Sequence, residues 1–271
     1  MRWLDRAWKP TDAWRVLAGC VMFLFLSMAL VACYGGQGRT SGGMAPKESR
    51  LSAHIKMGLA YLEVGNFNSA LAELSQADLL EPNNVDINSY LGLTYFRRGD
   101  FPQALERFNK VLSLDPTRTE AHNNLGLTYV RQNDYAQARK EFEICVKDPT
   151  YSQTHLAQYN LASLDETEGK LDRAEAIYHQ IIKSNQMPAA YYRLGRMALN
   201  RGDAKKAVDY LLSAVRLDSK YADAYYTLAQ AYEKVGRVDD AAEAYGQVIN
   251  LTPNSARAME AQAQARRILG F

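Results

Sequence analysis

The side chains that could carry out chemistry in this 271-residue chain are few and widely separated. The histidines and cysteines are His54, His122, His155, His179, Cys20, Cys33 and Cys145. None of them forms a metal-binding spacing such as HExxH or a pair of closely spaced cysteines. The only enzyme candidates are Cys145 as a nucleophile and His122 as its base, and both occupy positions where a repeated helix packs. The sequence therefore predicts no catalytic residue, no metal site, no cofactor and no small-molecule substrate.

The net charge of +2 arises in residues 1–32, which hold four basic and two acidic side chains. The remainder of the chain is electrically neutral, so no general attraction to nucleic acid is expected. Hydrophobic residues make up 47% of the chain, which is enough for a sizeable core. A mean hydropathy of −0.34 argues against a protein with many membrane spans. Any membrane contact is therefore expected to be local.

Residues 1–32 have the organisation of a targeting leader. Residues 1–15 are basic on balance, and Val16–Ala32 is a run of about 17 residues without a charge. The run ends in Leu30-Val31-Ala32-Cys33, which resembles the lipobox of bacterial lipoproteins. This resemblance implies cleavage of a signal peptide before Cys33 and acylation of that residue. The tyrosine that follows Cys33 implies the outer membrane, with the folded body facing the periplasm.

An alternative for the same segment is an uncleaved N-terminal membrane anchor. Three tryptophans and two acidic residues before the apolar run favour it. Residues 33–50 are rich in Gly and Ser and are predicted to form a flexible linker between the lipid on Cys33 and a folded body.

From Leu51 onward the chain repeats with a period of about 34 residues. The segment "LGLTYFRRGDFPQALERFNKVLSLDP" (91–116) realigns with 57–82 before it and with 125–149 after it. Glycines recur at Gly58, Gly92 and Gly126, and the pattern L-G-x2-Y, A-x3-F, Pro resembles the tetratricopeptide repeat. The resemblance implies an all-α solenoid of helix-turn-helix repeats. Six repeats are predicted over 51–253, starting near residues 51, 85, 119, 155, 188 and 222, and a capping helix over 254–271.

Most of the repeats contain the residues that such a unit needs. Gly or Ala allows the two helices to approach closely, an aromatic residue fills the adjacent space, and Gly or Asn ends the first helix. A second close contact is expected at Ala70, Ala104, Ala138, Ala174, Ala207 and Ala241. The fourth repeat is the least regular, because about two extra residues precede it and Asp165 replaces the aromatic residue. In the fifth repeat Ala198 stands at that position.

Positions 2, 5, 9 and 12 of the first helix of each repeat line the concave surface in this architecture, here named the first-helix groove. The predicted groove is aliphatic in repeats one to three and becomes polar and aromatic in repeats four to six. An apolar stripe of this kind suits an amphipathic helix or an apolar strand of a partner. Alternatively, these side chains bury one another between repeats or meet the linker folded back over them. The predicted binding residues are Ile55, Leu59, Leu62, Leu93, Phe96, Leu127, Val130, Tyr159, Tyr192 and Tyr226.

A lipobox, a linker and six repeats together resemble the type IV pilus biogenesis lipoproteins of the PilW, PilF and Tgl family. The opening repeat "LSAHIKMGLAYLEVGNFNSALAEL" (51–74) is also similar to that family. The resemblance implies a pilotin, which is a lipoprotein that escorts the secretin subunit to the outer membrane and promotes its multimer assembly. The alternative is another periplasm-facing repeat lipoprotein, acting as an adaptor for an envelope protease or a cell-wall enzyme.

Overall fold

The computed structural model describes residues 46–270, which form thirteen α-helices: six successive pairs and one final helix. Each helix packs on the next one along the chain, as expected of a helical repeat array. The predicted all-α fold of six tetratricopeptide-like repeats with a C-terminal helix is therefore confirmed. The helices are Lys47–Glu63 (α1), Phe67–Leu80 (α2), Val85–Arg98 (α3), Phe101–Leu114 (α4), Thr119–Arg131 (α5), Tyr135–Lys147 (α6), Thr154–Thr167 (α7), Leu171–Ser184 (α8), Pro188–Asn200 (α9), Ala204–Leu217 (α10), Ala222–Lys234 (α11), Val238–Leu251 (α12) and Ala256–Leu269 (α13).

The array begins slightly earlier than the sequence predicted. Helix α1 starts at Lys47, so residues 47–50 are helical and do not belong to the flexible linker predicted over 33–50. Pro46 precedes the helix with an extended ψ of 145°, and Glu48 places a negative charge in the first turn, where the helix dipole favours it. The predicted leader (1–32), Cys33 and the remainder of the predicted linker lie outside the described residues, as does Phe271 at the end of the predicted capping segment.

Close helix contact within a repeat depends on a residue without a large side chain. A Cβ atom built on Gly126 of α5 would lie 2.5 Å from Cε1 of Phe142 on α6, much closer than two carbon atoms approach. The ring of Phe142 thus occupies the space that a larger residue at position 126 would need. The six alanines predicted to give the second close contact are all completely buried.

The turns between the two helices of each repeat have one shared backbone feature. All six contain a residue with φ between 61° and 95°. Glycine adopts this left-handed backbone conformation most easily, because glycine has no Cβ atom. Five of these residues are glycines, and the turn of repeat three instead uses Asn133, the side-chain type that best tolerates this conformation. Prolines follow the second helices of repeats one, two and six, as the sequence predicted, and Pro149 follows that of repeat three.

The irregular fourth repeat replaces an aromatic contact with an ionic one. Asp165 is completely buried, and its Oδ1 accepts a 2.7 Å hydrogen bond from Nη2 of Arg139 in repeat three. Nε of Arg173 lies 3.1 Å from the other carboxylate oxygen. In the longer connection before α7, Tyr151 is buried against Cys145 and Ala157. The extra residues therefore add an aromatic ring to the junction with repeat three.

Candidate functional site: the first-helix groove

The structure leaves eight of the ten predicted groove residues partly exposed along the first helices. The other two, Leu62 and Tyr226, are each only 5% exposed and so cannot contribute an accessible surface. Tyr226 packs edge-on against Tyr245, and the guanidinium of Arg257 lies 4.5 Å from its ring centroid. Helix α13 therefore covers the position that the sequence assigned to the end of the groove. The accessible residues are Ile55, Leu59, Leu93, Phe96, Leu127, Val130, Tyr159 and Tyr192.

The aliphatic half of the groove contributes both to the core and to the surface. Ile55 packs against the core between repeats one and two, and Phe96 packs against the core between repeats two and three. Leu127 and Val130 contact the core that repeat three shares with repeat four. Because each of these side chains is only partly buried, apolar surface remains accessible on the first helices of three successive repeats, here named the apolar edge.

The groove changes character at the fourth repeat. Nδ2 of Asn160 donates a 3.2 Å hydrogen bond to Oδ1 of Asn123, which joins the first helices of repeats three and four. Beyond this point the first-helix positions of the predicted groove hold mostly tyrosines and polar or charged residues. Farther along, a cavity of about 540 Å³ lies between repeats five and six and α13. It is lined by Leu199, Asn200, Gln230, Glu233, Lys234, Tyr245, Gln264 and Arg267.

Sequence reasoning missed that helix α13 extends the groove. Positions 2, 5, 9 and 12 of repeat six have counterparts one 34-residue period later, in α13. These counterparts are Arg257, Glu260, Gln264 and Arg267. Nε of Arg257 lies 3.4 Å from Oδ1 of Asp223, and Arg267 pairs with Glu233. Continuing the period by one further repeat supplies the signal that identifies these residues. Helix α13 therefore serves as a first helix as well as a cap.

The histidines that occupy the consensus tryptophan position contact a glutamate of the second helix within their own repeats. Nδ1 of His54 lies 2.7 Å from Oε2 of Glu73, and His122 makes the same 2.7 Å contact with Glu141. In repeat two, Asn88 and Arg107 form the equivalent pair, with 2.9 Å between Nη1 of Arg107 and the amide oxygen. The two members of each polar pair are 19 residues apart and link the two helices of repeats one, two and three, which assigns these pairs to packing.

Cys145 has the environment of a core residue and not that of a nucleophile. It is completely buried, and its thiol donates a 3.5 Å hydrogen bond to the carbonyl of Thr119. Burial, reinforced by the charge of Glu141, raises the pKa of Cys145 to about 12, so the thiolate is scarce near neutral pH. His122 contacts Glu141, not Cys145. Within residues 46–270 no group of three or more His, Cys, Asp or Glu side chains is arranged to hold a metal ion.

Family models agree with this architecture along most of the described residues. Models described as TPR repeat or tetratricopeptide repeat match residues 92–133, 123–176, 159–222 and 198–265. Together they span more than half of the chain. The chain is a tetratricopeptide-repeat (TPR) protein. A curated relative, an uncharacterized protein of Methanocaldococcus jannaschii, is 36% identical over 55 residues, which are 20% of this chain and 64% of that protein.

Solved structures with the same fold include two pilus proteins. The TPR array is similar to the crystal structure of PilW, a widely conserved type IV pilus biogenesis factor, with a TM-score of 0.65 and 21% identity. That match covers 78% of this chain and 98% of PilW. PilF of Pseudomonas aeruginosa gives a TM-score of 0.66 at 21% identity, covering 80% of this chain and 99% of PilF. At these identities the likeness shows a common fold.

A much larger TPR protein is also similar in fold. Yeast Tom70 gives a TM-score of 0.67 at 18% identity, and the match covers 82% of this chain but only 47% of Tom70. The extent of the array therefore corresponds to PilW and PilF and not to Tom70.

Among the described residues of the present chain, none of the helices is both long enough and apolar enough to cross a membrane.

Proposed function

We propose that this TPR protein is an outer-membrane lipoprotein of type IV pilus biogenesis, which binds the secretin subunit and promotes its localisation and multimer assembly. The observation that carries the proposal is the correspondence with PilW and PilF along nearly their whole length. A six-repeat array of the same extent supports a similar role, whereas a match to part of a larger TPR protein gives no comparable indication.

The first-helix groove is the surface that binds the secretin segment in this proposal. Partly exposed side chains such as Leu59, Phe96 and Leu127 form an apolar edge on three successive repeats. A helix or strand of the partner buries its own apolar side chains there, which keeps them from water until the secretin inserts into the membrane. The protein acts as a scaffold and catalyses no reaction.

A lipid on Cys33 holds the array at the periplasmic side of the outer membrane in this proposal. A scaffold gains specificity from the place where it is held, because a tether raises the local concentration of partners in the same membrane. From its sequence alone, the Gly- and Ser-rich segment after Cys33, which begins "YGGQGRTSGG", is predicted to tether the array to the lipid.

The test of partner binding is capture of the secretin subunit from detergent-solubilised envelopes with the full-length lipidated protein as bait. A variant carrying Leu59→Glu and Phe96→Glu places two charges on the apolar edge and is expected to lower secretin recovery at least tenfold. The matched control carries Leu79→Glu and Ile144→Glu, two exposed positions on the second helices α2 and α6. The control is expected to recover as much secretin as the unmodified protein.

Secretin recovery that is undiminished in the groove variant, with an unchanged helical circular dichroism spectrum, contradicts binding through this surface. Deletion of the gene provides the second measurement, since loss of secretin multimers is expected. If the multimers persist and the bait instead captures an envelope protease or a cell-wall enzyme, the adaptor function replaces the pilotin function.

A further inference from the structure

Two arginines of repeat five share a single carboxylate oxygen in the polar half of the first-helix groove. Nη1 of Arg193 and Nη2 of Arg196 lie 3.1 Å and 3.0 Å from Oε2 of Glu166. Of the carboxylates in the described residues, Glu166 alone lies within ion-pair distance of these two guanidinium groups. The neighbouring Asp165 pairs instead with Arg139 and Arg173. The cluster therefore has an excess of one positive charge.

Tyrosine side chains fix both guanidinium groups in place. Nε of Arg193 lies 3.1 Å from the hydroxyl oxygen of Tyr159, and the guanidinium carbon of Arg196 lies 5.8 Å from the ring centroid of Tyr192. Burial lowers the pKa of Arg193, but the contacts with Tyr159 and Glu166 more than compensate, so its pKa stays above the ordinary value and the charge is kept. Preorganised guanidinium groups lose little side-chain entropy when they bind a planar anion.

The two arginines are exposed to different extents. The side chain of Arg196 is 40% exposed and that of Arg193 is 23% exposed, whereas that of Glu166 is only 11% exposed. An incoming carboxylate can therefore reach the free edge of Arg196 while Glu166 remains in place behind it. One uncompensated charge matches one carboxylate, which distinguishes this site from the multiply charged surfaces that bind nucleic acid.

The position of the pair within the groove indicates which kind of carboxylate it receives. On one side lies the apolar edge of repeats one to three, which ends at Val130. Towards the C-terminal end of the array lies the cavity between repeats five and six and α13. A bound segment can thus extend past the arginines in both directions, which suits an acidic side chain inside the segment and not a chain terminus.

We propose that Arg193 and Arg196 bind the carboxylate of an Asp or Glu side chain within the partner segment, whose apolar residues lie on repeats one to three. This inference rests on the proposed function of the groove. It adds which part of the partner segment lies on which repeats. The apolar edge supplies affinity, and the arginine pair selects segments in which an acid lies at one end of the apolar run.

The test measures fluorescence anisotropy of labelled peptides with the full-length protein. One set consists of synthetic peptides with an apolar half, a single Glu and a polar tail, together with the Gln version and a version that ends in a free carboxylate at that position. The other set covers the secretin subunit with overlapping segments. The Glu peptide is expected to bind about tenfold more tightly than the Gln peptide, as for a charge-assisted hydrogen bond near 1.4 kcal/mol.

Arg196→Gln is expected to abolish the preference for Glu over Gln, and Arg196→Lys is expected to retain only part of it because the fork geometry is lost. Arg216→Gln, on the exposed face of α10, is the matched control and should leave the preference unchanged. Circular dichroism of each variant separates loss of the site from loss of the fold.

Equal affinity for the Glu and Gln peptides overturns the inference, as does failure of both sets to bind. Tighter binding of the peptide that ends in a free carboxylate overturns the internal placement of the acid. If secretin segments bind through the apolar edge without sensitivity to Arg196, the proposed function stands and the inference fails. If the synthetic Glu peptide shows the preference but no secretin segment binds, the arginine site stands and the pilotin function fails.

Discussion

Arg139 and Asp165 form a buried ion pair across the boundary between repeats three and four, with 2.7 Å between Nη2 and Oδ1. The two residues are 26 positions apart and lie on different repeats. Arg139 also lies 3.1 Å from Oε1 of Glu168, so one guanidinium connects α6 to two carboxylates of the next repeat. At the point where the repeat pattern is weakest, the junction thus depends on charge as well as on apolar packing.

Asp165→Ala is expected to lower the free energy of unfolding by about 1–3 kcal/mol, because it removes the buried carboxylate that Arg139 and Arg173 share, while Arg139 keeps its contact with Glu168. Chemical denaturation followed by circular dichroism measures the effect. Asp172→Ala is the control, since Asp172 pairs with Arg201 at the surface and its side chain is fully exposed. Equal denaturation midpoints for Asp165→Ala and Asp172→Ala contradict a structural role for the pair of Arg139 and Asp165.

A second pair of variants compares two helical glycines with different surroundings. Gly126→Val forces atoms into the space of the Phe142 ring and is expected to destabilise the protein by about 1–3 kcal/mol. Gly246 lies within α12, and a Cβ built there meets no other atom within 4 Å. Gly246→Ala is therefore expected to stabilise the protein by about 0.5–1 kcal/mol through helix propensity. Thermal unfolding measures the change in stability of both variants. Destabilisation by Gly246→Ala would contradict the empty space found around a Cβ atom at position 246.

Cys145 is expected to resist alkylation by iodoacetamide at pH 8 in the folded protein and to react once the protein is unfolded. Its folded pKa of about 12 lies above the ordinary value of 9.0. Above pH 9 the unfolded chain releases the thiol proton while the folded chain keeps it, so stability falls as pH rises from about 9 towards 12. Cys145→Ala removes this contribution and is expected to show a shallower loss of stability over the same range. Rapid alkylation of the folded protein contradicts a buried thiol. The same holds if stability falls equally steeply with pH in Cys145→Ala and in the unmodified protein.

The lipid anchor is tested by Cys33→Ala. If Cys33 is acylated, the unmodified protein fractionates with the outer membrane, and mass spectrometry finds a lipid on an N-terminal cysteine. The variant should then lose outer-membrane attachment. If the unmodified protein keeps residues 1–32 and carries no lipid on Cys33, the uncleaved anchor is correct. Expression with a soluble periplasmic leader in place of residues 1–32 is the control for folding without the membrane.

The repeated part of the fold was predictable because its determinants are local. A small residue at Gly126, an aromatic side chain sixteen residues later at Phe142 and a turn at Asn133 all act within one repeat, so their spacing is visible along the chain. The start of α1 was placed four residues too late, because the consensus pattern begins at Leu51 while the favourable first turn begins at Lys47. Local charge and backbone geometry, and not the repeat, determined that boundary.

The sequence by itself determined the helix-turn-helix unit, its sixfold repetition and the change of the groove from aliphatic to polar at repeat four. Only the tertiary structure decided which groove residues remain accessible, because burial of Tyr226 depends on where α13 packs. It also decided which charges meet, and placed Arg193 and Arg196 of one repeat against Glu166 of another. Packing within a repeat is periodic and can be deduced from spacing. Contacts between repeats depend on how successive units stack and on side-chain conformations, and no single repeat encodes either one.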